Sequence, residues 1–339
     1  MFYDSIDALG TYIDVCLDRY RDNVFLCELD EDELINSVTY GQAKERIQGI
    51  KNLLKENGIE PGDKVALLGE NSINWGLVYM AAVTYGAIIV PILHEFDSVS
   101  ISNIINMSES RILFVSSSQL EKVEESNLRQ LEKIYLLDDF REVEKQDVKE
   151  VKSQIRSKIL VFKNRIDQFL AEHINRARSK TIEEYKPKAD DIAAIVYTSG
   201  TTGRSKGVML THKNIFWNIL AALDYIEING NDRFLSILPS SHTYECTFTL
   251  LLSMVGGASV YYLKQKPSPK VLLKAFEKVK PSMVMMVPLV IEKIYKKNVL
   301  PKLEDNILLK GATRIKPLRK LVYKKACKSL LEAFGGNIR

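Results

Sequence analysis

The chain has 339 residues, 46% of them hydrophobic and 27% charged, which is typical of a soluble globular protein with length for about two domains. The 47 basic and 43 acidic residues leave a net charge of +4, and aromatic residues do not alternate with basic runs, so no nucleic-acid partner is expected. The cysteines are widely spaced and form no CxxC pair, which favours reduced, buried thiols over a zinc or dithiol site: Cys16, Cys27, Cys246 and Cys327.

The N-terminal residues are acidic and lack a basic region, which predicts that no secretory signal is present. The most apolar window, residues 78–93, contains Gly86 and Pro91 and is shorter than the roughly 20 residues that a membrane-spanning helix needs. We expect a buried helix there that leads into a buried strand. These features predict a cytoplasmic protein, with any membrane association confined to its surface.

The first 140 residues alternate amphipathic segments with short apolar runs. Helical spacing of apolar residues predicts helices at 41–57 and 99–108, and a third that is capped by Asn71-Ser72, runs through Trp75 to Tyr85 and ends at Gly86. Continuous apolar runs predict strands at 65–68, 87–91 and 112–115. Alternation of this kind is typical of a parallel sheet covered by helices. Residues 1–140 are therefore predicted to form a first α/β lobe.

Residues 141–185 differ in kind, since they are rich in Lys, Arg and Glu and contain neither glycine nor proline. Apolar residues recur there at steps of three to five, which predicts one long amphipathic helix over residues 141–180 that connects two lobes or is inserted between them. One interpretation is a charged helix that packs a single stripe on the protein body. The other is a helix for a partner or for an anionic membrane surface, contacted through Lys149, Lys152, Arg156, Lys158, Lys163 and Arg165.

A glycine-rich and hydroxyl-rich stretch at residues 197–207 reads Tyr-Thr-Ser-Gly-Thr-Thr-Gly-Arg-Ser-Lys-Gly. It follows a predicted buried strand and precedes a predicted helix capped by Thr211. Glycines let the backbone wrap around a ligand, and successive N–H groups form a nest for an anion. The stretch therefore predicts a polyphosphate-binding loop, although a plain surface loop has a similar composition. It is not a Walker loop, because Lys206 stands between Ser205 and Gly207.

Residues 186–339 are predicted to form a second α/β lobe. Apolar runs predict strands at 232–239, 258–262 and 283–288. Helices are expected at 246–254, 269–279 and 289–296, followed by a basic helical tail from about residue 302 to residue 334.

The stretch at 197–207 resembles the signature loop of the adenylate-forming superfamily, which includes acyl-CoA synthetases, luciferases and peptide-synthetase adenylation domains; Ser205 replaces the usual proline. Three further stretches are similar to acyl-CoA synthetases, the last two to those of the long-chain type. They are Pro61-Gly62-Asp63-Lys64-Val65-Ala66 with its following helix and strand, Leu238-Pro239-x-x-His242-x-x-Glu245, and Val287-Pro288 through Glu292-Lys293-Ile294-Tyr295. The last would flank an acyl tunnel, and the resemblance covers nearly the whole chain.

The resemblance implies an α/β fold of two stacked parallel-sheet lobes with flanking helices, and ATP-dependent activation of a fatty acid to an acyl-adenylate and then an acyl-CoA. It also implies roles for individual residues. Lys206 would anchor the loop or meet a phosphate, His242 would shape the acyl or adenylate site, and Thr198 would help to hold Mg²⁺ with a glutamate. The β- and γ-phosphates of ATP would be cradled by Ser199, Gly200, Thr201, Thr202 and Gly203, and coenzyme A would be the co-substrate.

Later motifs of the superfamily are not found in this sequence, among them the segment Tyr-Gly-x-Thr-Glu that would supply the metal-binding glutamate. We therefore expect the chain to be the N-terminal part of a long-chain acyl-CoA synthetase, with little or no activity by itself. Two alternatives remain open: a non-catalytic nucleotide-binding fragment or pseudoenzyme, and an acyl-AMP ligase that loads acyl carrier protein. The sequence does not specify the acyl chain length or the oligomeric state.

Overall fold

The computed structural model describes residues 6–30, 33–124, 128–143, 185–199, 205–298, 300 and 316–339. The predicted helix at 141–180 lies almost wholly outside these ranges. So do Gly200, Thr201, Thr202 and Gly203 of the predicted phosphate loop. The structure therefore describes both sides of that loop but not its centre.

The described elements alternate helices and strands as the sequence predicts. The strands are β1 (Val24–Asp30), β2 (Glu33–Thr39), β3 (Lys64–Leu68), β4 (Ile88–Ile92), β5 (Ile112–Val115), β6 (Lys133–Leu136), β7 (Ile192–Ser199), β8 (Ser205–Thr211), β9 (Arg233–Ser236), β10 (Ser259–Leu263) and β11 (Met283–Val284). The first helices are α1 (Leu9–Arg19), α2 (Tyr40–Glu56), α3 (Ile73–Tyr85), α4 (Ser98–Ser108) and α5 (Leu120–Glu124). The later helices are α6 (His212–Leu223), α7 (Thr243–Glu245, continued by a π-helix at Cys246–Leu251), α8 (Pro269–Val279), α9 (Pro288–Asn298) and α10 (Lys316–Ala333).

The strands form two sheets. The first sheet has the order β11-β9-β10-β1-β2, and the second has the order β6-β5-β3-β4-β7-β8. The α/β class is confirmed, but each sheet is mixed, because β1–β2 and β7–β8 pair antiparallel while the other pairs are parallel. Both antiparallel pairs have short connections, of 2 and 5 residues, whereas a parallel pair needs a crossover of about a dozen residues or more.

Each sheet takes strands from both sides of the 141–185 segment. In the first sheet β1 pairs with β10, with Leu26 opposite Val260, and in the second sheet β4 pairs with β7, with Ile89 opposite Ala194. The boundaries predicted at residues 140 and 186 therefore do not separate the two sheets. Sequence patterns show which segments are strands, but the pairing of strands so far apart along the chain depends on tertiary packing.

Helix α3 is central to the core. Eleven of its 13 residues are buried, so it has no solvent-exposed stripe, and it contacts β1 of the first sheet as well as β3 and β4 of the second. The main apolar cluster includes residues of this helix, of α1 and of both sheets, among them Tyr12, Phe25, Val65 and Trp75. The prediction that residues 78–93 form a buried helix and strand is confirmed. Among the described helices, none combines the length and hydropathy that crossing a bilayer would require.

The predicted helix caps are confirmed by hydrogen bonds. Ser72 accepts from the backbone N–H of Trp75 at the start of α3, and Thr211 forms a reciprocal capping box with Asn214 at the start of α6. At the end of α3, Gly86 has φ +90°, a left-handed conformation that favours glycine.

Three predictions need correction. The strand predicted at 283–288 is only two residues long, because Pro288 begins α9 and proline suits the first helical turn. Strand β6 was not predicted, since four residues carry too short a pattern. Cys327 is exposed, whereas the other cysteines are buried.

Tyr12 should measurably stabilise the packing of α1. Its buried hydroxyl donates to the carbonyl oxygen of Leu251 at 2.7 Å, and its ring packs against Phe216. Tyr12→Phe should lower the free energy of unfolding by about 1 kcal/mol, because a buried carbonyl loses a partner. Urea unfolding would measure this, with Tyr225→Phe as the control, since Tyr225 is 89% exposed. Equal midpoints for the two variants would contradict the expectation.

Candidate functional site

The two strands that flank the predicted phosphate loop form an antiparallel hairpin. Its register places Thr198 directly opposite Lys206 and Ser199 opposite Ser205, so the hairpin connection is residues 200–204. Both Thr198 and Lys206 are exposed. Since residues directly opposite each other share one face of an antiparallel pair, the hydroxyl and the ammonium group lie on the same side of the hairpin.

That side of the hairpin also borders a cleft. Side chains alternate between faces along a strand, so Ala194, Val196 and Thr198 share one face of β7. Their partners across the ladder are Leu210, Val208 and Lys206. Of these, Ala194, Val196 and Leu210 line the cleft. Thr198 and Lys206 therefore extend the wall of the cleft toward the hairpin connection.

The opposite face of the hairpin is packed tightly around Gly207. A Cβ atom at this position would lie 2.9 Å from Cγ2 of Ile195, which is closer than real Cβ contacts, and 3.1 Å from Cζ of Tyr197, which is tighter than most of them. The Tyr197 ring is buried in the second apolar cluster. Glycine at position 207 leaves room for the Tyr197 ring to pack against the backbone of β8. This packing stabilises the pairing of β7 with β8 next to the hairpin connection.

The hairpin connection emerges at the carboxyl edge of the second sheet. Because β7 is parallel to β4, and β4 to β3, the residues after each of these strands meet at one edge. Ligands of open α/β sheets bind outside the carboxyl ends of the strands. Ser199, the last residue of β7, therefore lies at the edge where this architecture places ligands.

An anionic cluster occupies the other end of the same edge, beyond β3 and β5. The Glu70 carboxylate accepts hydrogen bonds from Ser116 at 2.7 Å, from Ser118 at 2.8 Å and from Gln119 at 2.6 Å. Burial by itself would raise the pKa of Glu70, but these hydrogen bonds outweigh it and lower the pKa below its ordinary value. Glu70 therefore carries its negative charge at neutral pH.

His242 lies in the turn between β9 and α7, is exposed, and has a backbone N–H that donates to the carbonyl of Pro239. Asn71, just before α3, holds this turn. Its Nδ2 donates to the carbonyl oxygen of Leu238 at 2.6 Å, and its Oδ1 accepts from the N–H of Ser240 at 2.7 Å. The turn that carries His242 is thus tied to the start of the buried helix α3.

The His242 turn and the β7–β8 hairpin border the same small cleft, whose cavity volume of about 10 Å³ has room for roughly one water molecule. The neighbours of His242 on both sides, Ser241 and Thr243, contribute to its wall. The remaining lining is mostly apolar, and the full set is Tyr79, Pro91, Ala194, Val196, Leu210, Ile215, Ser240, Ser241, Thr243, Cys246 and Thr247. The structure therefore brings two of the sequence-predicted groups together, a polar turn and a hairpin that carries a lysine.

Glu245 is a chemically distinctive residue near this cleft that sequence reasoning passed over. Its side chain is fully buried, and Oε1 accepts a hydrogen bond from the Ser236 hydroxyl at 2.7 Å. Burial raises the pKa of this carboxyl to about 8, against hydrogen bonds that lower it, so it carries a proton at neutral pH. The available signal was an acidic residue three positions after His242, directly before an apolar helical run.

The thiol of Cys246, which contributes to the wall of the cleft, is not a nucleophile. Burial raises the pKa of Cys246 to about 12, so the thiolate is negligible at neutral pH. His212 is also uncharged: burial lowers its pKa to about 4, and its Nδ1 accepts the backbone N–H of Gly10 at 3.1 Å. Both residues are part of the core packing.

The stretch from Val287 to Tyr295, the third that is similar to acyl-CoA synthetases, lies apart from the cleft. Ile294 packs in a separate apolar cluster with Phe276 and Phe334, while Val287 and Leu289 are exposed. No residue of α9 lines the cleft in the part of the chain that the structure describes. Within the same ranges there is no group of three His, Cys, Asp or Glu side chains arranged to hold a metal ion.

Comparison with protein families gives one match that covers almost the whole chain. The family described as "AMP-binding enzyme" matches residues 14–336. This range includes the β7–β8 hairpin, the His242 turn and Glu245.

Curated relatives include enzymes of fatty-acid activation. A chloroplastic long-chain-fatty-acid–[acyl-carrier-protein] ligase of Arabidopsis thaliana is 27% identical over 82% of this chain and 37% of its own length. A long-chain-fatty-acid–CoA ligase of Drosophila melanogaster is 23% identical over 76% of this chain and 37% of its own length. The peroxisomal long chain acyl-CoA synthetase 6 of Arabidopsis thaliana is 36% identical over 36% of this chain and 17% of its own length. The chain thus spans well under half the length of these relatives.

Solved structures support the fold. The N-terminal domain of FACL13 from Mycobacterium tuberculosis aligns with a TM-score of 0.66 at 18% identity, covering 86% of this chain and 65% of that one. A fatty acyl-adenylate ligase from L. pneumophila, solved with acyl adenylate and pyrophosphate, aligns with a TM-score of 0.68 at 19% identity, covering 88% and 47% of the two chains.

The buried carboxyl of Glu245 should make stability depend on pH. In the unfolded chain a glutamate ionises above about pH 4.5, whereas the folded protein keeps this proton up to about pH 8. The unfolded state binds fewer protons between these values, so the free energy of unfolding should fall as pH rises through this window, with a limiting slope of about 1.4 kcal/mol per pH unit. Glu245→Gln should remove this contribution.

Urea unfolding of both proteins from pH 5 to pH 9 would measure the difference. Glu277→Gln is the control, because Glu277 is exposed on α8. Parallel stability curves for the natural protein and Glu245→Gln would contradict the expectation.

Proposed function

The chain belongs to the AMP-binding enzyme family, and we propose that it serves the ATP-dependent activation of a long-chain fatty acid. The observation that supports this proposal is the hairpin register, in which Thr198 is opposite Lys206 on the same face of β7 as Ala194 and Val196, two residues that line the cleft. The chain spans about 37% of the length of its relatives, so the activity is proposed for the whole protein to which these residues belong.

The proposed reaction has two steps. A fatty-acid carboxylate oxygen attacks the α-phosphorus of ATP, the bond to the bridging oxygen breaks, and pyrophosphate leaves with that oxygen to give an acyl-adenylate. The thiol of coenzyme A then attacks the acyl carbon, AMP leaves as the phosphate anion, and the thiol proton passes to solvent. The first step joins two anions, so it depends more on neutralising phosphate charge than on proton transfer.

Lys206 supplies positive charge at the wall of the cleft. Its ammonium group meets a phosphate oxygen or anchors the loop. From the sequence, the N–H groups and hydroxyls of Ser199, Gly200, Thr201, Thr202 and Gly203 cradle the β- and γ-phosphates. Preorganised donors of this kind stabilise the charge that develops in the transition state.

Mg²⁺ fits this site as a companion of the nucleotide. It prefers hard oxygen ligands and is usually held by few protein groups together with phosphates and water. The exposed hydroxyl of Thr198, opposite Lys206, is such an oxygen. When bound, the ion would neutralise negative charge on the transferring phosphates. Thr198 would orient it toward the cleft.

The lining of the cleft, though not its volume in this structure, suits an acid with an apolar chain. Its polar lining comes largely from the His242 turn, at Ser240, Ser241 and Thr243, and its apolar lining comes from the second sheet and from helices α3 and α6. His242 lies beside this polar wall and would shape the pocket for the carboxylate or the adenylate. The acyl chain would extend along the apolar side chains.

A second acceptor thiol is supported by one relative. The chloroplastic enzyme named above is a ligase for acyl carrier protein. If this protein shares that chemistry, the acyl group passes to the phosphopantetheine thiol of a carrier protein. Product analysis with coenzyme A and with holo-carrier protein would distinguish the two acceptors.

Lys206→Ala should slow ATP–pyrophosphate exchange by about 10²–10³-fold, because a preorganised charge is lost where negative charge develops. The assay would use a panel of fatty acids of different lengths. Lys278→Ala is the control, since Lys278 is exposed on α8 and remote in sequence from the hairpin. A decrease of less than about threefold for Lys206→Ala would show that this lysine does not face the phosphates.

We also propose that the 141–180 segment contacts anionic membrane surfaces from the cytoplasm, which would bring the enzyme to its lipid substrate. The support is the basic residues that alternate with an apolar stripe in this segment. Co-sedimentation with phosphatidylserine vesicles should fall several-fold in a variant in which Lys149, Lys152, Arg156, Lys158, Lys163 and Arg165 are Gln, and should fall with salt in the natural protein. Unchanged co-sedimentation would contradict the proposal.

A further inference from the structure

Three side chains form a hydrogen-bonded chain behind the His242 turn. Asn71 Nδ2 donates to the Ser236 hydroxyl at 2.9 Å, and that hydroxyl donates to Glu245 Oε1 at 2.7 Å. Ser236 is the last residue of β9, and Glu245 closes the first turn of α7. The bond between them therefore joins the two ends of the segment that carries His242.

Asn71 ties the middle of the same segment. It binds the carbonyl oxygen of Leu238 and the N–H of Ser240, so both hydrogen-bonding atoms of its amide are used. Ser240 and Ser241 line the cleft, whereas Asn71, Ser236 and Glu245 do not. The position of the cleft wall thus depends on side chains that lie outside the cleft.

Glu245 is enclosed by uncharged groups, and their hydrogen bonds lower its pKa by less than burial raises it. From its own helix it is near Cys246 and Thr249, and from the first sheet it faces Ser236 and Tyr262. Glu28 also acts on Tyr262, but Lys264 lies 3.2 Å from the Glu28 carboxylate. Among the described residues Glu245 forms no ion pair, and its Oε2 has no hydrogen-bond partner.

We propose that Asn71, Ser236 and Glu245 act as a clamp that positions the His242 turn, and that Glu245 holds this turn as the neutral acid. They are positioning residues, since they act through His242 and the backbone of the turn. Ionised Glu245 would be a buried charge without a cation, so the turn would open to admit water. The effect on fatty-acid activation rests on the function proposed above, whereas the clamp itself does not.

Amide hydrogen exchange tests the clamp without any substrate. In Asn71→Ala the N–H of Ser240 loses its acceptor, so its exchange should become at least tenfold faster. Asn71→Asp keeps an acceptor oxygen for the N–H of Ser240 but loses the Nδ2 donor. It should therefore keep the Ser240 N–H protected, while the carbonyl oxygen of Leu238 loses its hydrogen bond. If Asn71→Ala does not fold, the Asn71→Asp variant alone tests the clamp. In this variant the N–H of Ser240 should exchange as slowly as in the natural protein, while the hydrogen bond between Ser236 and Glu245 should be weaker.

Proton NMR of the histidine ring tests the role of the neutral acid. The His242 signal, assigned by its loss in His242→Gln, should show an inflection near pH 8 that is absent in Glu245→Gln. The buried His212 serves as the internal reference, because it remains neutral across this range. Glu245→Gln keeps the shape and the acceptor oxygen, so it should hold the turn at every pH, whereas Glu245→Ala should not.

The kinetics of ATP–pyrophosphate exchange connect the clamp to activity. Asn71→Ala should raise KM for the fatty acid about tenfold in ATP–pyrophosphate exchange and leave KM for ATP nearly unchanged. In the natural protein this KM should rise above about pH 8, and in Glu245→Gln it should not. Absence of ATP–pyrophosphate exchange with every acid, measured in the whole protein to which these residues belong, would reject the proposed function alone. The clamp would be overturned by unchanged amide hydrogen exchange at Ser240 in both Asn71 variants. It would also be overturned by an inflection of the His242 signal near pH 8 that persists in Glu245→Gln.

Discussion

The burial of α3 is the constraint on which the rest of the structure depends. A helix that is apolar on nearly every face is stable only when protein surrounds it, and eleven of its 13 residues are buried. Covering it requires strands from both sheets, and hence segments from both halves of the chain. The same helix fixes the position of Asn71, which directly precedes its cap. The His242 turn is therefore held by the most deeply packed helix of the described structure.

Interleaving of the two sheets explains how one cleft receives contributions from distant segments. The pairing of β4 with β7 places the β7–β8 hairpin in the second sheet, while β9 and the turn that follows it belong to the first. Neither sheet alone contains both the lysine and the histidine. The cleft forms because the carboxyl side of β7 and the His242 turn meet across the core.

Local features of this fold were accessible from sequence, and non-local ones were not. Ser72 and Thr211 cap helices as predicted, because capping uses only neighbouring residues. The strand before the phosphate loop and the helix after it followed from the apolar runs beside the loop, whereas the antiparallel pairing of β7 with β8 was not predicted. The pairing of β1 with β10 and the environment of Glu245 depend on contacts between distant segments, which leave no local pattern. A resemblance to a family pointed to His242, while the equally placed Glu245 was read only as a part of the motif.

The charges of Lys206, Glu70 and Glu245 suit the proposed reaction between two anions. Lys206 provides positive charge at the hairpin, and Glu70 keeps its negative charge at the far end of the sheet edge, stabilised by three hydroxyl or amide donors. Glu245 lies much nearer to the turn, and burial keeps it protonated. A leucine there would avoid the burial cost but could not hold Ser236, and an ionised carboxylate would repel a carboxylate in the cleft. A neutral acid accepts the hydrogen bond from Ser236 that closes the turn. It also adds no negative charge that would repel the carboxylate of the proposed substrate.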